Sequence, residues 1–376
     1  MPELTLRELN SNERPAVATL WQDLERLHGQ GGLTNSWDWT RCWLDAFGDL
    51  VPHVFLVGET QGEPVGIVLI TQGVGQRRGP IPVRTVHIGT AGEPITDAIS
   101  AGYHRILVRE SCRQDFSVAI VRHVQKSSRR WEELVMYGFA PEDAHPFIDT
   151  GGFWHVRREI CRVSDLNLIR ENGGDVLASL GKTTRRNLRR SMRELGAITT
   201  EQATNVAEAK EILAELIDLH QRRWIAKGEP GAFAGDRFRA FHDLLVESLM
   251  DRNAIMMFRV RTENATIGCK YGFLERNRMI SYQVGTADFE GRVNPGLLTN
   301  LMCIQHCLEL GLEEFNLMPA DMPYKQELTN STRELLYPVL SRRTPKQLLL
   351  RYARNRRFGK SISVPAGSGN PEGEPS

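Results

Sequence analysis

Ala254-Ile255-Met256-Met257-Phe258-Arg259-Val260, Thr266-Ile267-Gly268-Cys269-Lys270-Tyr271-Gly272-Phe273-Leu274 and Met279-Ile280-Ser281-Tyr282-Gln283-Val284 are three short apolar runs in quick succession. Polar turns join them, Glu263-Asn264-Ala265 first and Arg276-Asn277 second. Runs of this length bounded by turn residues predict an antiparallel meander. Asn294-Pro295-Gly296-Leu297 comes next, a good N-cap residue ahead of a proline at the first helical position, so a helix is expected from Pro295 to Leu310, stopping at Gly311. Glu314-Phe315-Asn316-Leu317-Met318 supplies one more strand, which after a helical crossover should lie parallel to the third strand of the meander. The order is β-β-β-α-β.

Upstream, helix-forming sequence runs from Asp175 to Leu195 and ends at Gly196, followed by helices from about Val206 to Ile225 and from about Asp236 to Met250. The first half repeats the hairpin signal. Val54 to Val57, a Thr60-Gln61-Gly62-Glu63 turn and Val65 to Ile70 read as a hairpin, and within it Val57 to Ile70 answers Val260 to Phe273, with Val65-Gly66 matching Ile267-Gly268. Further strands are expected at Thr85 to Ile88 and Trp131 to Tyr137, a helix around Phe116 to His123, and a turn-rich close at Pro141 to Gly152. The expected fold is therefore α+β in two tandem halves, residues 1–165 and 166–340. A basic amphipathic segment and a Gly/Pro/Ser-rich disordered tail fill 341–376.

The chain has 376 residues, enough for two cores, and its 41% hydrophobic and 25% charged content is that of a globular protein. No apolar run approaches the length that spans a bilayer, the N-terminus lacks a secretory pattern, and six cysteines are scattered without a framework. Cytoplasmic residence is the expectation. Cys303-x-x-His306-Cys307 has helical spacing but no fourth ligand, so it reads as helix packing and no metal is expected. Gly181-Lys182-Thr183 lacks the earlier glycine of a P-loop, since Val176 stands there.

The β-β-β-α-β order resembles the core of GNAT acyltransferases. Leu180-Gly181-Lys182-x-x-Arg185-Arg186-Asn187-Leu188-Arg189-Arg190 with Leu219-His220-x-x-Arg223-Trp224 resembles one branch more closely. That branch comprises the CelD-like cellulose and polysaccharide biosynthesis proteins, related to the Fem-type aminoacyltransferases. Gly285-Thr286-Ala287-Asp288 with Pro295-Gly296, and Phe315-Asn316-Leu317-Met318-Pro319 with Tyr324-Lys325, agree with it. So do Trp37-Asp38-Trp39 with Trp43, and His87-Ile88-Gly89 followed by Asp97, in the first half. Asn316 departs from the branch, whose members usually carry Asp there.

The resemblance implies a donor, acetyl-CoA or a longer acyl-CoA, whose pantetheine arm pairs with the strand edge at Tyr282-Gln283-Val284-Gly285. Backbone N–H groups of such an edge serve a thioester oxyanion without any special side chain. Arg292, Asn294, Pro295, Gly296 and Leu297 would present the donor pyrophosphate with charge and a helix N-terminus, or form a merely structural cap. Tyr324 is positioned by resemblance to protonate the leaving thiolate and Lys325 to neutralise the oxyanion, against a reading as a strand-end pair packed for structure. Asp288 and Glu275 are the candidates for accepting the amine proton. Lys182, Arg185, Arg186 and Arg189 belong to a run of six bases at 182–193 with no acid among them, which suits an anionic ligand: acceptor phosphate, donor phosphate or tRNA. Arg223 and Trp224 suit a polar amine or sugar acceptor, with core packing as the alternative for Trp224. The basic run 342–360 fits either an anionic membrane surface or packing against the first half. The expected activity is N-acyl transfer to a small-molecule or sugar amine of an envelope or polysaccharide precursor. A tRNA-dependent transferase and a non-catalytic scaffold are the alternatives.

Overall fold

The computed structural model describes residues 3–358 apart from 30–31, 128–130, 290–292 and 320–322. Arg292 and the Gly/Pro/Ser-rich tail thus lie outside the described residues.

The first half contributes strands β1 (Leu4–Asn10), β2 (His53–Thr60), β3 (Glu63–Gln72), β4 (Thr85–Ile88), β5 (Glu133–Val135) and β6 (Trp154–Asp165). Its helices are α1 (Arg14–His28), α2 (Trp37–Phe47), α3 (Arg113–Lys126) and α4 (Pro141–Ile148). Three helices follow: α5 (Leu166–Glu171), α6 (Val176–Ser179) and α7 (Lys182–Leu195). The second half then repeats the pattern. It runs β7 (Ile198–Gln202), α8 (Val206–Ile225), α9 (Asp236–Leu249), β8 (Ile255–Thr262), β9 (Thr266–Glu275), β10 (Arg278–Thr286), α10 (Pro295–Glu309), β11 (Glu314–Pro319), α11 (Pro323–Glu327) and β12 (Ser331–Ser341). A last helix, α12 (Pro345–Phe358), closes the described chain.

Two sequence expectations are corrected. The turn-rich stretch at Pro141 is helix α4, because Pro141 stands in the first turn, where its missing N–H costs nothing, and Glu142 and Asp143 favour the helix start. The helix expected from Asp175 is broken, since Leu180 and Gly181 are extended, with Asp175 capping α6 through the Ala178 N–H and α7 starting anew at Lys182.

All twelve strands join one sheet in the order β1-β2-β3-β4-β5-β12-β6-β11-β10-β9-β8-β7, with a further short strand, Leu107–Val108, on β3. Only β4 with β5 and β10 with β11 run parallel among these described pairs. The order shows an exchange of final strands. β6, from the first half, pairs with β11 of the second, while β12, from the second, pairs with β5 of the first. The two exchanged strands pair with one another along Ser331↔Val163 through Leu340↔Trp154.

One core lies under both halves. Trp39 of α2 meets Phe241 of α9 at 5.2 Å and Phe273 of β9 at 5.3 Å, edge to face, so α1, α2, α8 and α9 form a common layer. The opposite face is covered separately, by α3 and α4 in the first half and by α7 and α10 in the second. Cys303 and Cys307 are buried in that second core. Helix α12 packs back on the first half: Lys346 Nζ donates to Glu132 Oε1 at 2.8 Å, and the Arg343 guanidinium lies 4.0 Å over the Phe153 ring. Among the described residues no helix is long and apolar enough to cross a membrane.

Candidate active site

β10 and β11 pair only at Arg278↔Glu314, Met279↔Phe315 and Ile280↔Asn316, and beyond Ile280 they part. Both strands are irregular there: β10 bulges at Tyr282, where its register against β9 shifts, and β11 turns away. The register of β11 against β6 shifts between Asn316 and Pro319, and Met318 adopts φ +57°, a left-handed conformation that costs a side-chain-bearing residue energy. Two side chains hold it there. Asn316 Oδ1 accepts from the Met318 N–H at 2.9 Å, and Lys325 Nζ donates to the Leu317 carbonyl at 2.6 Å and the Met318 carbonyl at 3.1 Å. Backbone groups turned out of the ladder thereby regain partners.

The parting opens a cleft of about 310 Å3. Ser281, Tyr282, Gln283 and Val284 line one wall, Leu317, Met318 and Pro319 the other, with Tyr324, Lys325 and Lys270 also lining it. Ser100, Ala101 and Gly102, from the loop between β4 and Leu107, and Tyr337 of β12 complete it, so both halves build the site. That loop is tied by Glu93, whose carboxylate accepts from the Ile99 N–H at 2.6 Å and Trp43 Nε1 at 3.2 Å, and whose burial raises its carboxyl to about 7.

The structure brings Gln283, Val284, Tyr324, Lys325 and Glu275 to this cleft. Burial raises the Tyr324 phenol, while the Arg223 charge pulls the other way. Arg223 reaches from α8 to Thr286 Oγ1 at 3.0 Å, at the end of β10. Burial lowers the Lys325 ammonium to about 8. Glu275 stands at the far end, 3.8 Å from Arg278, where it also lines a second, polar cleft of about 710 Å3. Asp288 is exposed beyond β10 and lines neither cleft.

Gly285 faces α8 rather than the cleft: a Cβ there would stand 2.4 Å from the Leu216 carbonyl oxygen, so the glycine admits the helix backbone. At α10, Asn294 caps the helix, its Oδ1 accepting from the Leu297 N–H at 3.0 Å and its carbonyl from the Leu298 N–H at 3.0 Å. Pro295 has no N–H and Leu297 is buried, so Gly296 is the residue of this first turn best placed to meet an anion. Trp224 is 39% exposed, with Lys227 Nζ 5.5 Å from its ring centre, which removes it from the core. On α7, Lys182, Arg186, Arg189 and Arg193 are exposed and have no carboxylate partner among the described residues. Arg185 instead binds the Ala178 carbonyl at 3.0 Å. Thr184 donates to Glu327 at 3.0 Å, setting the basic helix against α11.

Sequence reasoning passed over Lys270 and Tyr103. Lys270 carried a visible signal, a lone charge inside the apolar strand Ile267 to Phe273. Tyr103 carried none, because its role depends on a partner 213 residues away: Asn316 Nδ2 donates to its hydroxyl at 2.6 Å.

Residues 182–326 match the family model described as an acetyltransferase (GNAT) domain. No curated protein matches the chain in sequence. Among solved structures, the crystal structure of FemX superposes with a TM-score of 0.56 at 9% identity, covering 88% of this chain and 98% of FemX. A conserved protein of unknown function from Bacteroides thetaiotaomicron VPI-5482 does so with a TM-score of 0.52 at 9% identity, covering 86% and 97% of the two chains. At such identity the likeness is one of fold, and it extends over both halves.

Proposed function

We propose that this chain, whose residues 182–326 match an acetyltransferase (GNAT) domain model, is an acyltransferase that moves an acyl group from acyl-CoA to an amine by direct attack. The observation that carries this reading is the edge of β10 from Ser281 to Val284, unpaired towards β11 and lining the cleft. A strand edge of that kind offers N–H and C=O groups to a pantetheine arm and an N–H to a thioester oxyanion. The acceptor approaches through the polar cleft that meets the first at Glu275. Its lining sets seven carboxylates against four arginines, a balance that favours a cationic amine. An amino sugar or another amine of an envelope or polysaccharide precursor, as in the CelD-like branch, is the acceptor class we favour.

The test is a thermal-shift series with CoA, acetyl-CoA and longer acyl-CoAs, since a ligand that binds only the folded state raises its apparent stability, by about 2.7 kcal/mol at a hundredfold excess over its dissociation constant. A melting temperature unmoved by every one of them would sink the acyl-CoA reading.

A second reading, a donor carried on tRNA, is favoured by the unpaired Lys182, Arg186, Arg189 and Arg193 on α7. Reversing Arg186 and Arg189 to Glu is expected to change stability by less than about 0.5 kcal/mol, as for exposed positions generally. Binding of the anionic ligand should weaken, and the difference should shrink as salt is raised. Loss of tRNA binding with acyl-CoA binding intact would move weight to this reading. A sharp fall in melting with binding intact would show that the stripe serves the fold.

A further inference from the structure

A lysine removed from water is expensive to the fold unless a carboxylate meets it. Lys270 is such a residue: it is 1% exposed in the middle of β9, in register between Phe258 and Val284. Its Nζ donates to Asn300 Oδ1 at 2.9 Å and lies 5.8 Å from the centre of the Phe315 ring. Among the described residues no carboxylate pairs with it. The residues around it, Phe258, Phe315, Cys303 and Cys307, form an apolar core in which a methionine would pack as well. The fold alone therefore gives no reason for a charge at this place.

The cleft gives one. Lys270 lines it together with Lys325, and each ammonium lowers the cost of an anion at the other. The two differ in what their protons already do. Among the described residues Lys325 spends two hydrogen bonds on the carbonyls of Leu317 and Met318, whereas Lys270 spends one, on Asn300. Asn300 is itself fixed, its Nδ2 donating to the Gly296 carbonyl at 2.7 Å, so the ammonium is aimed by a held partner.

We propose that Lys270 is a catalytic residue of the acyl transfer, its ammonium placed to neutralise the negative charge that grows on the thioester. The proposal rests on the acyl-transfer reading of this cleft. In the step it serves, the acceptor nitrogen forms a bond to the thioester carbon and the carbonyl π pair moves onto oxygen. That pair then returns, the C–S bond breaks, and sulfur leaves with its electrons as the CoA thiolate. The acceptor's proton passes to solvent at the cleft mouth, and Lys270 keeps its own throughout. Burial lowers the Lys270 ammonium to about 8, so the charged form the step needs is present at neutral pH and is lost as pH rises past that value.

The experiment compares wild type with Lys270→Met in three measurements: melting without ligand, calorimetric binding of acetyl-CoA, and single-turnover transfer to glucosamine as the probe acceptor between about pH 6 and about pH 9. The expected result is turnover lowered by about 100-fold or more, an acetyl-CoA dissociation constant changed less than about threefold, and a melting temperature close to that of wild type, removal of a buried charge offsetting the Asn300 oxygen left without a donor. The wild-type rate should also fall on the alkaline side near the value that Lys270 shares with Lys325, and that limb should be shallower in the variant, where Lys325 alone is left to lose its proton. Wild-type turnover in the variant would overturn the proposal. So would melting well below wild type, because the lysine would then be holding the fold. A wild-type protein that neither binds acetyl-CoA nor transfers its acyl group removes the acyl-transfer reading first, and this proposal with it.

Discussion

Asn316→Asp is expected to destabilise the protein by about 3 kcal/mol, although it exchanges one atom for another of nearly the same size. Asn316 is fully buried, and its amide nitrogen donates to the Tyr103 hydroxyl at 2.6 Å and to Glu314 Oε1 at 2.9 Å. An aspartate loses both donors and sets its carboxylate against that of Glu314, itself buried and answered by Arg333 at 2.5 Å. The Tyr103 hydroxyl can turn to donate and recover part of the loss; Glu314 cannot. Denaturant melts of the two proteins at neutral pH measure the difference. The burden should ease as pH falls, because a buried aspartate facing another carboxylate has a raised folded pKa and its protonated form can donate to Glu314. A variant that melts like wild type at neutral pH would show that Asn316 is not the clasp described. Glu314, two residues earlier and within hydrogen-bond reach of the amide, explains why an amide suits this position.

Lys325→Met should lose on two counts. The carbonyls of Leu317 and Met318 would each be left without the ammonium that now answers them, at an expected cost of about 2–4 kcal/mol for two charge-assisted bonds. The left-handed turn at Met318 would relax, and the cleft wall with it, so acetyl-CoA binding and turnover should fall together. From sequence, Lys325 was expected to meet only the transition state, which would spare donor affinity. The geometry adds a ground-state duty. Melting and donor binding both unchanged, with turnover lost, would restore the simpler role.

The β-β-β-α-β segment was legible because its strands are local. Apolar runs meet across short turns, and Arg276 and Asn277, both with positive φ, close a two-residue hairpin between Glu275 and Arg278. The exchanged strands were not. β6 carries Arg157, Arg158 and Glu159 on positions that remain exposed or partly exposed, and its partners stand up to 186 positions away, as in Trp154 with Leu340, so no short-range pattern marks it. β1 is an edge strand, exposed along most of its length, with too few buried positions to set a period. At the site, sequence reached the residues that resemblance marks on β10, α10 and α11. It missed the loop 89–106 from the other half, because nothing in Ser100-Ala101-Gly102 says what it will cover. Gly285 was legible as a special glycine, but its reason, the α8 carbonyl at Leu216, belongs to packing between distant elements.

The crossing of β6 and β12 bears on how the molecule comes into being on the ribosome. The first half cannot finish its sheet when residue 165 has been synthesised, since the strand that belongs beside β5 begins at Ser331. Meanwhile β6 waits with one edge for β11 and the other for β12. Both halves therefore close in a single late event, after nearly the whole chain is made. Pairings of such sequence separation slow folding and leave strand edges open in the interim. A nascent chain stalled before Ser331 should bind chaperones and yield to proteases in both halves alike, while one released after Ser341 should gain protection in both together.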